Sequence, residues 1–376
     1  MTLRSTTRRA LLLQGATATL LPLAASRAVA QAAAAAAAPR RFEPQVDGWR
    51  TFEVTTTVSV PEAQGTTRLW LPVPSLDNDW QRSIDNAWSG NAANARLESD
   101  AAHGVRMLVA EFPASVKQPT LTMVNRVQTR NRAVDWSRAQ KVAADPAELR
   151  AALQPAELMP LDGIVRQTAL DATRGASTDI DKVRALYRWV VSNAHREPKV
   201  RGCGTGDIKT MLETGNLGGK CADLNAIFVG LCRSVGVPAR DVYGLRLVPS
   251  AFGYRELSGN PANLKGAQHC RAEVFLKAHG WVAMDPADVL KVMRQETPEW
   301  IKDTAHPLVA PVAKGLFGSW EGNWLGYNDA HDVRLPGAKG TLPFLMYPQG
   351  ENAQGRFDEL APDSFRYTIS AQELKA

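Results

Sequence analysis

Gly218-Gly219-Lys220-Cys221-Ala222-Asp223-Leu224-Asn225 is the stretch that decides how this chain is read. From Cys221 onward, Leu224, Ile227, Phe228, Leu231 and Val235 recur at helical spacing, and Gly236 followed by Pro238 closes the run. The spacing predicts a helix with a cysteine in its first turn. Unpaired backbone N–H groups and the positive end of the helix dipole favour a thiolate there. Gly218 and Gly219 let another backbone or a substrate approach the sulfur closely. A lone cysteine is more often a small packing residue, so its meaning depends on the partners the chain supplies.

Those partners lie roughly fifty residues on, in Gln268-His269-Cys270-Arg271-Ala272-Glu273-Val274-Phe275-Leu276, then Lys277-Ala278-His279-Gly280, then Trp281-Val282-Ala283-Met284-Asp285-Pro286. Two apolar runs around a glycine-bearing turn predict a β-hairpin, with His269 entering and Asp285 leaving. A cysteine on a helix, a base on the next strand and a carboxylate on the strand after it supply nucleophile, proton acceptor and orienter. Register leaves the carboxylate open. With Ala278 and His279 as a two-residue turn, His269 lies opposite Asp288 and Asp285 falls on the other face. A three-residue turn or a bulge restores the parity of Asp285.

The order and setting of these residues resemble the bacterial transglutaminase-like superfamily of papain-like cysteine enzymes. The resemblance runs from about Leu161 to Val289. It rests on Gly219-Lys220-Cys221-Ala222-Asp223, Gly236-Val237-Pro238-Ala239-Arg240, the His269 strand, and Gly280-Trp281 through Asp285-Pro286. It implies an α+β fold with the cysteine on a helix and the histidine and aspartate on antiparallel strands. It also implies Cys221 as nucleophile, His269 as general base and acid, and Asp285 as the group that fixes the imidazole tautomer. The family performs acyl transfer and includes protein cross-linkers, deamidases and proteases, so the chemistry is better specified than the substrate. The oxyanion needs preorganised donors. The Cys221 N–H is the first; Asn216 and Asn225 are near in sequence, and the second donor stays open.

The first thirty residues read as a separable unit. Thr6-Thr7-Arg8-Arg9 precedes an apolar run from Ala10 to Ala25, and Ala28-Val29-Ala30 offers a small-residue cleavage site, the layout of a twin-arginine export signal. Gln14, Gly15, Thr17, Thr19 and Pro22 interrupt the run, which is too weak for a stable membrane anchor. A periplasmic or secreted protein is expected. The segment carries four arginines and no acid, so its removal lowers the formal charge from +6 to +2. A near-neutral body without a basic, aromatic-interleaved stripe argues against nucleic acid. Cys203, Cys221, Cys232 and Cys270 are too few for a disulfide scaffold and lack zinc-site spacing, although an oxidising compartment would permit Cys203 and Cys270 to pair. No acidic-loop pattern supports calcium, and no metal or cofactor is expected.

Residues 31–45 read as an alanine-rich spacer. Over 46–134, period-two alternation such as Phe52, Val54, Thr56, Val58 and Val60, punctuated by proline and glycine, predicts a β-sandwich domain. Residues 135–160 read as a linker and 161–299 as the catalytic domain, opening with a helix capped at Thr178-Asp179-Ile180-Asp181. Trp189 is placed as a packing residue or a cleft wall. The glycine-rich Arg201 to Asp207 lacks the lysine and hydroxyl end of a phosphate loop and is expected to form a flexible rim of the cleft. The polar loop from Pro249 to Gly266 is expected to select substrate. Residues 300–376 are taken as an extension packed on the core, with Phe317, Trp320, Trp324 and Tyr327 at near-helical spacing as a packing face. His331 has no nucleophile supplied to it.

These readings predict an exported cysteine enzyme acting on amide bonds of proteins or peptides, cell-wall peptide among them, through a thioester. Hydrolysis is favoured over amine transfer because water is the default acceptor. A non-catalytic binding or assembly module on the same fold is the alternative from a different class. Oligomeric state is not legible in the sequence.

Overall fold

The structure, a computed structural model, describes residues 40–139 and 142–375. The export signal and most of the spacer fall outside the described residues. Arg40–Ala376 forms one compact unit.

The chain opens with β1 (Arg50–Ser59), β2 (Thr67–Pro72), β3 (Gln81–Gly90), β4 (Asn94–Ser99), β5 (Arg106–Phe112), β6 (Thr120–Thr129) and β7 (Arg132–Ala133). Then come the helices α1 (Pro146–Ala151), α2 (Gly163–Ala172), α3 (Asp179–Asn193) and α4 (Ile208–Thr214), with the short strands β8 (His195–Arg196) and β9 (Gly218–Gly219) pairing in parallel. The middle of the chain continues with α5 (Cys221–Ser234), β10 (Ala239–Arg246), β11 (Gln268–Leu276), β12 (Gly280–Met284), α6 (Pro286–Gln295) and α7 (Ala310–Gly315). The chain ends with β13 (Ser319–Trp320), β14 (Trp324–Asn328), β15 (Gln349–Asn352), β16 (Gly355–Arg356) and β17 (Arg366–Leu374).

The alternation in β1 buries Phe52, Val54, Thr56 and Val58 on one face, as period-two patterning dictates. β1 joins a sheet of order β17-β1-β6-β3; a second sheet has the order β16-β15-β2-β5-β4. Apolar residues of both, Val54 and Val58 with Leu69, Leu71 and Leu108, share one core. The second sheet is buried on its other face too. There Trp70, Met107 and Val109 pack against Val333, Leu335 and Leu345, which explains why β2 lacks clean alternation.

The third sheet has the order β12-β11-β10-β14 and is antiparallel throughout. Helix α5 packs on it with every residue buried, so it is a central helix rather than an amphipathic surface one. Helix α3 starts where the capping motif predicts: Thr178 Oγ1 accepts from the Asp181 N–H at 3.2 Å. Val183, Leu186, Tyr187, Val190 and Val191 form its buried stripe.

The C-terminal segment differs from the expected extension. Its β14 completes the third sheet, while β15, β16 and β17 join the N-terminal sheets. The run from Phe317 to Tyr327 is not helical: Trp320 lies in β13, and Trp324 and Tyr327 lie in β14. Four aromatics spaced by three or four residues mimic a helical stripe, but Gly318, Gly322 and Gly326 between them favour extended and turn backbone.

Candidate active site

The sulfur of Cys221 sits at the first residue of α5, where no intrahelical carbonyl is available to its N–H. What holds it there is Asp223. This carboxylate accepts the Lys220 N–H at 3.0 Å and, through its other oxygen, the N–H groups of Thr205 and Gly206 at 2.9 Å each. The glycine-rich segment is therefore a pinned wall rather than the expected flexible rim. At Gly204, φ is +88°, and a Cβ would lie 1.8 Å from Asp223 Oδ2, so only glycine permits this approach. The Ala222 N–H then bonds the Cys203 carbonyl at 3.0 Å, which brings Cys203 beside Cys221.

All four cysteines are free thiols, so Cys203 and Cys270 are not paired. The single S–H of Cys203 has two acceptors in reach: the Gln268 carbonyl at 3.4 Å and the Cys221 sulfur. An ionised sulfur is the stronger acceptor. Hydrogen bonds from Cys203, Cys270 and then His269 hold the Cys221 thiol well below its ordinary value against the opposing effect of burial. Cys232, three turns on, is core, and burial pushes its thiol up.

The hairpin question is settled by the turn. Leu276 pairs with Gly280 and Ala272 with Met284, so Lys277-Ala278-His279 is a three-residue turn, with Gly280 at φ +73°. That odd length puts Asp285 on the His269 side. Asp285 ends β12 and caps α6: its Oδ1 accepts the Asp288 N–H at 3.0 Å, with Pro286 at the first helical position. His269 Nε2 lies 2.7 Å from Asp285 Oδ2 and 3.3 Å from Asp288 Oδ2. Both carboxylates thus face one ring nitrogen, which leaves Nδ1 for the thiol.

The two acids are not equivalent. Arg246 donates to both oxygens of Asp288 at 2.5 and 2.6 Å. Burial opposes ionisation of Asp288, yet Arg246 and then His269 hold it well below the usual carboxylate range. Asp285 is pushed up by burial and by the charge of Asp288. Burial and Arg246 disfavour the imidazolium, but Asp288 and Asp285 outweigh them and His269 is pushed up to about 9. A low thiol and a high imidazole describe a thiolate–imidazolium pair at neutral pH. His269, Asp285 and Asp288 are also close enough to share a cation; the Arg246 guanidinium already supplies that positive charge.

Several supporting residues escape a sequence reading. Asn225 is not at the oxyanion position: fully buried, it donates to the Cys270 carbonyl at 2.8 Å and to Asp285 Oδ1 at 3.4 Å. Asn216 is exposed and accepts the Gly218 N–H at 3.2 Å. Trp324 Nε1 donates to the His269 carbonyl at 3.0 Å, and the Arg271 guanidinium lies over the Trp324 ring at 4.6 Å. Trp189 packs against the core, half-buried. His331 contacts Asp241 at 3.1 Å and Tyr243 at 3.3 Å, away from Cys221. Arg246 did leave a signal, a cation between apolar neighbours in a buried strand, where an unpaired charge is too costly to persist.

The cleft in front of Cys221 and His269 has a volume of about 550 Å³. Of the expected substrate loop, Ser258 to Asn260, Asn263, Lys265 and Gly266 line it. Tyr254, Leu257 and Leu264 anchor the loop in the core.

The sequence model of the Transglutaminase-like superfamily matches residues 166–286. An uncharacterized protein of Haemophilus influenzae is 32% identical over 342 residues, covering 86% of this chain and 91% of its own. Among solved structures, a candidate cysteine protease from Cytophaga hutchinsonii aligns with a TM-score of 0.48 at 15% identity, over 87% of this chain and 99% of that one. The periplasmic domain of TgpA from Pseudomonas aeruginosa aligns with a TM-score of 0.36 at 16% identity, over 72% of this chain and 97% of that one. The matched span begins in α2 and ends at Pro286, so it contains Cys221, His269 and Asp285. With its central helix packed on an antiparallel sheet, this α+β chain belongs to the transglutaminase-like superfamily.

Proposed function

We propose that the protein is an exported cysteine hydrolase that cleaves amide bonds of periplasmic proteins or peptides, cell-wall peptide among them. The observation that carries this is the junction of the Cys221 thiol at a helix start with an imidazole whose Nε2 is held 2.7 Å from Asp285. The Cys221 thiolate adds to the amide carbonyl carbon, and the oxyanion is met by the Cys221 N–H. As the C–N bond breaks, His269 Nδ1–H protonates the leaving amine, giving a thioester and a neutral imidazole. That imidazole then takes a proton from water as it attacks, the C–S bond breaks to expel the Cys221 thiolate, and the acid leaves with the thiolate–imidazolium pair restored. Asp285 fixes the ring and its tautomer throughout. Among the described residues no helix is long and apolar enough to cross a membrane, which suits a protein freed from its signal.

Amine transfer differs only in the second half-reaction. Incubation with a glutamine-containing protein and a labelled primary amine separates the two. New amino termini or ammonia without label are expected; label incorporation would make the protein a transglutaminase. The carboxylates are separable as well. Asp285→Ala is expected to lower kcat/KM on the order of 10⁴-fold, the loss typical of removing a triad acid. A large loss confined to Asp288→Ala would transfer the orienting role to Asp288.

A further inference from the structure

Apart from the Cys221 thiolate, the charges lining the cleft are of one sign. Arg196, Lys220, Arg246, Lys265 and Lys291 border it, and among the described residues no aspartate or glutamate does. Arg246 is paired with Asp288 at 2.5 Å, and Lys291 lies 3.5 Å from Glu256. For the other three, no carboxylate lies within ion-pair distance among the described residues. Arg196 donates through Nε to the neutral Gln295 amide at 3.0 Å, and Lys265 Nζ sits 5.3 Å from the Tyr367 ring centre. Lys220 is half-buried, and its ammonium is held below its ordinary value first by burial and then by the Arg196 charge. The Cys221 thiolate offsets part of the repulsion between these neighbouring cations, and a further anion between them in this partly dehydrated wall would relieve the rest.

A second observation points to the same ligand. Gln268 is buried, and its Oε1 is fixed by the Gly266 N–H at 2.9 Å. Its Nε2 makes no hydrogen bond of ordinary geometry, the Tyr367 hydroxyl being its one protein neighbour able to accept among the described residues, and Gln268 lines the cleft. A buried donor without an acceptor is costly in a finished site and is explained by a ligand that brings one.

We infer that the cleft takes an acidic acyl donor, a peptide whose carboxylate lies between Lys220, Arg196 and Lys265 while the neighbouring amide faces Cys221. The inference rests on Cys221 as nucleophile and adds a substrate class to it. Lys220 directly precedes Cys221 and lines the same cleft, so selection is expected near the scissile bond. Arg196 enters because β8 pairs with β9 just before Lys220, with Arg196 opposite Gly219. Lys265 belongs to the loop expected to select substrate.

Alkylation of Cys221 in the full chain by iodoacetate and by iodoacetamide tests this without a known substrate. The two reagents differ mainly in charge, and a small free thiol provides the reference ratio. The iodoacetate-to-iodoacetamide rate ratio is expected to exceed that reference by about tenfold at low salt and to fall as salt is added. Lys220→Met and Arg196→Met should each lower it. The exposed Lys265→Glu, on the loop and outside the contacts that hold the helix start, should lower it further while leaving the melting temperature unchanged. A ratio equal to that of the free thiol, with Cys221 still reactive to iodoacetamide, overturns the anion site and leaves the nucleophile standing. No reaction with either reagent removes the nucleophile, and the inference with it.

Discussion

Cys221→Ala is expected to abolish amide hydrolysis, a loss on the order of 10⁶-fold in kcat, while the protein stays folded. The substitution removes one buried sulfur at the cleft wall. It leaves the Asp223 contacts that hold the helix start intact. Unchanged circular dichroism and melting temperature would separate this result from misfolding, and retained activity would assign the chemistry elsewhere. His269→Ala is expected to cost about 10²–10⁴-fold. The pH profile identifies the pair. The active form holds a thiolate and an imidazolium together. Activity should therefore rise through the depressed Cys221 value on the acid side and fall through about 9 as His269 loses its proton. Alkylation of the sulfur needs only the thiolate, so it should share the acid limb and lack the basic one. An alkylation rate that rises only in the ordinary thiol range would mean that the ion pair does not form.

Arg246→Met should be the most destabilising single change near the site. Arg246 and Asp288 are both essentially inaccessible, and the guanidinium spans both carboxylate oxygens while Nη1 also bonds the Leu257 carbonyl at 3.0 Å. Removing it takes away the main counter-charge of Asp288 and leaves two buried carboxylates, Asp285 and Asp288, to share His269. Breaking a buried pair in this way costs about 3–5 kcal/mol, visible as a fall in the urea midpoint with m unchanged. The double replacement Arg246→Met with Asp288→Asn removes both charges and should recover much of the loss, since the penalty belongs to the orphaned anion. Equal instability in the single and double variants would show that packing of the arginine stem, not its charge, holds the region. Asp288 is thus best understood as the partner of Arg246 that also favours the protonated form of His269. Asp285 remains the shorter contact to the ring.

The candidates for the chemistry were legible because each sits where a local rule speaks. Helical periodicity starts at Cys221, two apolar runs flank a glycine-bearing turn after His269, and Asp285-Pro286 ends a strand as a helix cap. The choice between Asp285 and Asp288 was not local. It turned on whether two or three residues close the hairpin, and one residue of register moves every side chain to the opposite face.

Other features were decided only when distant segments met. Asp223 reads as a helix-start acid, yet its main work is to hold the Thr205-Gly206 loop some eighteen positions earlier. The aromatic run after Phe317 has a helical period but lies in strands, because β14 finds a free edge at β10 and Trp324 finds the His269 carbonyl. The last strand closes a sheet begun more than three hundred residues before. By itself the sequence determined the helix-start thiol and the hairpin that carries His269, since these depend on spacing within a few turns. The tertiary structure decided which acid lies nearer the imidazole, that Arg246 balances the second one, and that three of the cations lining the cleft have no carboxylate partner among the described residues. Those depend on charges brought together across the fold, where burial sets the cost of leaving any of them alone.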